Sequence, residues 1–84
     1  MRHARPDALD TLEPLLNQLR NRPALRERTR GVFYKGSRAW LHFHEDPAGL
    51  FADLRDGDGW RRVALADENA ATALLRLVDA SLGV

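Results

Sequence analysis

The chain has no cysteine, which excludes a disulfide framework, a thiolate metal site and a thiol nucleophile. No apolar run approaches the ~20 residues that a membrane-crossing helix needs, so a helical membrane protein is excluded as well. Lysine is almost absent. Lys35 stands alone beside twelve arginines, a bias that fits GC-rich coding as readily as phosphate recognition. Eighty-four residues allow one compact domain and leave no room for a separate cofactor module. The N-terminal stretch is too polar and too interrupted by proline to read as a secretory signal, so a cytoplasmic location is expected.

What is present suits a folded soluble domain, with 44% hydrophobic and 30% charged residues. A net charge of +1 hides a strong polarity along the chain. Residues 20–38 carry seven basic side chains against Glu27 alone, a balance of +6, whereas residues 39–84 carry four arginines against eight acids.

Leucines at 9, 12, 15, 16 and 19 recur at spacings of three and four and mark one stripe of a helix. Its start has two readings. Thr11 as N-cap puts Pro14 at the third helical position, where its missing N–H is harmless, whereas a start at Pro6 requires Pro14 to kink the helix. Residues 1–5 read as a frayed start, and Asn21 and Pro23 end the helix.

From Glu27 to Leu65 the period changes to two. Four strands are expected: Thr29–Lys35, Arg38–His44, Leu50–Arg55 and Trp60–Leu65, separated by turns at Gly36-Ser37, at Glu45–Gly49 and at Asp56–Gly59. Asp67 can cap a final helix whose buried face is Leu74, Leu75, Val78 and Leu82, with Gly83 at its C-terminal cap. The expected fold is an α+β two-layer sandwich, a four-stranded antiparallel meander with both helices on one face.

Alternation places Ala39, Leu41 and Phe43 toward the helices and Trp40, His42 and His44 on the other side. Leu50, Ala52 and Leu54 likewise separate from Phe51, Asp53 and Arg55. The open face would then carry Trp40, His42, His44, Phe51 and Asp53, joined by Trp60 and Arg62 if Val63 and Leu65 point inward. A register shift of one residue would instead bury the histidines.

His42 and His44, two residues apart on one strand, have a spacing that metal sites use, with Asp53, Glu45 or Asp46 as a carboxylate neighbour. The same residue types suit acid–base catalysis by an imidazole oriented by Asp53. Neither Ser37 nor Ser81 can be tied to a histidine as a nucleophile. Asp56-Gly57-Asp58-Gly59 has the alternate carboxylates of a calcium loop without its third ligand, and a hairpin turn accounts for it. Arg26, Arg28, Arg30 and Arg38, with Phe33, Tyr34 and Trp40 nearby, have the ingredients of a nucleic-acid surface. The near-neutral total and the absence of an RNA-binding strand signature weigh against it.

The segment GVFYKGSRAWLHFHEDPAGLFADLR, residues 31–55, resembles a group of short bacterial proteins marked by a G-x-F-Y strand, an H-F-H strand and an A-D-L-R strand. The resemblance implies a compact α+β domain with His42, His44 and Asp53 as distinctive polar residues, and it brings no activity, ligand or cofactor. The sequence reading favours a non-enzymatic module that forms a homodimer through its aromatic and histidine sheet face, since arginine and aromatic residues suit a self-complementary patch. An enzyme using His42, His44 and Asp53 is the alternative, and nucleic-acid binding the second.

Overall fold

A computed structural model of the protein describes residues 2–83. In chain order the elements are β1 (Arg2–His3), α1 (Pro6–Arg20), β2 (Arg26–Thr29), β3 (Val32–Lys35), β4 (Arg38–Asp46), β5 (Gly49–Asp56), β6 (Gly59–Ala64) and α2 (Glu68–Leu82). All strand pairings are antiparallel, in the order β2-β3-β4-β5-β6, and β1 pairs with β4.

This α+β domain has two more strands than the sequence suggested. Thr29–Lys35 is not one strand, because Gly31 turns the chain there at φ +79°. A Cβ at Gly31 would lie 2.7 Å from Cδ2 of Leu9 on α1, so glycine answers both the conformation and the space. Glu27 secures this turn by accepting the Gly31 N–H at 2.8 Å. The other addition is at the N-terminus, where fraying was expected through Arg5. Arg2 and His3 pair with Glu45 and His44. The Ala4 N–H donates to the Phe43 carbonyl, and the Arg5 N–H donates to Glu45 Oε1. Met1 lies outside the described residues.

Helix α1 begins at Pro6, in the first position that proline favours, and Pro14 lies inside it. Asp67 caps α2 by accepting the Ala70 N–H, and Gly83 closes it in the left-handed conformation. Leu9, Leu12, Leu15, Leu16 and Leu19 of α1 and Leu74 and Val78 of α2 form one core with Phe33, Leu41, Phe43, Ala52 and Leu54 of the sheet. Each large side chain fully buried there contributes about 1.5–3 kcal/mol.

One strand residue departs from simple alternation. Phe33 pairs with Leu41 but Tyr34 pairs with Ala39, so β4 carries one extra residue at Trp40. This β-bulge turns consecutive side chains, Trp40 and Leu41, into the core. Trp40 is therefore a core residue and not part of the open face, which receives Ala39 instead. The carbonyl of Ala39 accepts from Nε and Nη2 of Arg55 at 3.1 and 2.9 Å.

Candidate functional site

Cross-strand register assembles the open face in rows. Val32, His42, Asp53 and Arg62 stand opposite one another across β3, β4, β5 and β6, and His3, His44, Phe51 and Ala64 form the next row. Residues opposite in an antiparallel pair share a face, as do residues two apart on a strand. The three histidines are thereby brought to one place. One ligand nitrogen of each of His3, His42 and His44 lies within 4.8 Å of the others. A tetrahedral ion bound at ~2.0–2.1 Å holds its donor atoms about 3.3 Å apart, closer than the 4.8 Å within which these nitrogens lie.

The contacts inside the cluster are directional. Nδ1 of His42 lies 2.7 Å from Nε2 of His44, and that same Nε2 lies 3.1 Å from Oδ2 of Asp53. With the hydrogen on Nε2 of His44, the tautomer that a facing carboxylate favours, Asp53 and His42 accept it. Nδ1 of His44 is then a bare lone pair, buried and without a hydrogen-bond partner among the described residues. A carboxylate that fixes one imidazole nitrogen while the other is left free is the usual support for a metal-binding histidine.

Asp53 is itself clamped. Nε and Nη2 of Arg62 donate to its two oxygens at 2.8 Å each, a bidentate pair that tolerates the burial of a carboxylate only 5% exposed. Hydrogen bonding from Arg62 holds the Asp53 carboxyl below its ordinary pKa. His42 also titrates below its ordinary value, first through burial and then through the nearby His44. Neutral imidazole is the form that ligates a metal.

Aromatic and cationic groups wall the cluster. The ring of His3 stacks on His44 with centroids 5.1 Å apart, and Trp60 meets His42 edge-on at 4.4 Å. The Arg55 guanidinium lies 4.0 Å over the Trp60 ring. Phe51 is half-buried beside His44.

The structure thus brings His42, His44, Phe51, Asp53, Trp60 and Arg62 to one face, as the alternation suggested, and removes Trp40. It adds His3, which sequence reasoning missed, and sets Arg55, which alternation already put on this side of the sheet, against Trp60. A two-residue strand has no measurable period, so nothing in Arg2-His3 signalled β1. Ser37 lies in the β3–β4 turn and Ser81 on α2, and neither makes a side-chain hydrogen bond to a histidine among the described residues. Of the arginines expected at a nucleic-acid surface, Arg30 is committed elsewhere, to Asp10 and Glu13 of α1.

The sequence matches no protein-family model, and no curated protein or solved structure is significantly similar to it. Among the described residues, no helix is long and apolar enough to cross a membrane.

Proposed function

We propose that the protein binds one divalent transition-metal ion on the open face of its sheet, with His3, His42 and His44 as ligands and Asp53 orienting His44. The convergence of three imidazole nitrogens within 4.8 Å carries this reading. An all-imidazole set without thiolate suits zinc and its first-row neighbours better than calcium or magnesium, which prefer oxygen. Three protein ligands leave a fourth position for water or for an atom of a bound molecule.

Self-association through the same face drew its support from the exposed aromatic residues. With Trp40 in the core and Trp60 packed between Arg55 and His42, that support is smaller. A flat apolar contact between copies would also need no aligned imidazoles and no clamped carboxylate.

The test is equilibrium dialysis of the metal-free protein against Zn²⁺, with native mass measured on the same sample. The reading predicts one ion per chain, with weaker uptake in each of His3→Ala, His42→Ala and His44→Ala. Asp53→Ala should lower affinity about 10–100-fold, the usual cost of losing a residue that orients a ligand. Circular dichroism checks that each variant is folded. Unchanged uptake in the His42→Ala/His44→Ala double variant overturns the metal site. A dimer that takes up no metal would instead return the face to self-association.

A further inference from the structure

A second charged region lies at the far edge of the sheet, around the β2–β3–β4 hairpins. Of the seven basic residues between positions 20 and 38, three are neutralised: Arg20 by Glu13 and Glu27, Arg22 by Asp79, and Arg30 by Asp10 and Glu13. Arg26, Arg28, Lys35 and Arg38 make no ion pair among the described residues, and all four are exposed. The one acid within this stretch, Glu27, is committed to Arg20 and to the Gly31 N–H.

The four free cations all lie at this end of the sheet, Arg26 beside Tyr34 on the open face and Lys35 with Arg38, one residue further on, at the turn and toward the other face. Lys35 and Arg38 stand directly opposite each other across the Gly36-Ser37 turn, and Arg26 stands opposite Tyr34. Like charges directly opposite on a sheet are destabilising, so this hairpin tip is held against its own repulsion. A polyanion would relieve it. A groove of about 490 Å³ runs beside the tip, lined by Pro23, Leu25, Arg26, Arg28, Gly36 and Ser37 among others. The Arg28 guanidinium lies 4.7 Å over the half-buried Tyr34 ring and covers one face of it, leaving its own outer side as a surface on which a base can stack.

We infer that this edge binds single-stranded nucleic acid, its phosphates at Arg26, Lys35 and Arg38 and a base on the Arg28–Tyr34 stack. Guanidinium groups pair bidentately with phosphate, and an unpaired base needs an open planar surface and not a base-pair groove. The site shares no residue with the histidine cluster, so each stands or falls independently of the other.

The experiment is fluorescence anisotropy of labelled 12-nucleotide single strands, RNA and DNA, with the full chain at 20–200 mM salt. Three phosphate contacts give a slope of log affinity against log salt near −2, at roughly −0.7 per contact for single strands. Lys35→Gln and Arg38→Gln should each flatten the slope by about 0.7. Both should also leave the fold intact or raise its thermal midpoint, since each removes half of a repulsive pair. Tyr34→Leu should weaken binding without changing the slope. Arg61→Gln and Arg76→Gln, exposed arginines elsewhere on the molecule, should change neither quantity. The inference is overturned by no binding at 20 mM salt, by equal losses at Arg61 and Arg76, or by a polyglutamate chain competing as well as the oligonucleotide.

Discussion

The indole of Trp60 lies edge-on to the imidazole of His42, with ring centroids 4.4 Å apart, while Trp40 is buried in the core. The two tryptophans therefore report on different parts of the molecule. A paramagnetic ion such as Cu²⁺ or Ni²⁺ entering the histidine cluster should quench Trp60 strongly and Trp40 weakly. Quenching should survive in Trp40→Phe and disappear in Trp60→Phe. The opposite pattern would place the bound ion away from His42.

The bulge in β4 separates the same two residues energetically. Trp40 is 6% exposed and sits in the main cluster, whereas Trp60 is 41% exposed. Truncating a buried tryptophan costs about 3–5 kcal/mol, a large share of the ~5–15 kcal/mol that holds a small domain together. Trp40→Ala should therefore unfold the protein or bring it close to unfolding. Trp60→Ala should cost about 1 kcal/mol or less. Urea denaturation of the two variants checks this, and comparable losses would contradict the bulge.

Arg22 joins the end of α1 to α2 through a bidentate pair with Asp79, both contacts at 3.0 Å, and also donates to the Gln18 carbonyl. Hydrogen bonding from Arg22 lowers the Asp79 pKa below its ordinary value. A carboxyl depressed in the folded state contributes stability that is fully present above its unfolded pKa and is lost as pH falls through its folded one. The difference in denaturation midpoint between the natural chain and Asp79→Asn should therefore be constant near neutrality and shrink with acidification below about pH 4. A difference that stays constant down to pH 2 would show that the ion pair does not stabilise the fold.

Much of this architecture is legible in the sequence because the hydrophobic period is clean where elements are long. The leucine stripe of α1 and the 40s and 50s strands place His42, His44, Phe51 and Asp53 on one face. Asp56-Gly57-Asp58-Gly59 fixes a tight hairpin that carries Trp60 and Arg62 there as well. What was hidden has tertiary causes. Gly31 divides an apparently continuous β pattern because its backbone adopts a positive φ against Leu9, a tertiary contact with no local signature. The bulge at Trp40 breaks strict alternation by one residue, and only the pairing of β3 with β4 reveals it. His3 reaches the site through two strand residues held by the edge of β4, a contact between positions more than forty apart in the chain.

The most direct test of the three-histidine site is X-ray absorption spectroscopy at the zinc edge on protein loaded with one equivalent of Zn²⁺. The site geometry predicts nitrogen or oxygen ligands at about 2.0–2.1 Å with outer-shell scattering from three imidazoles. That count should fall to two in His3→Ala. A spectrum of oxygen ligands alone, without imidazole scattering, would contradict it.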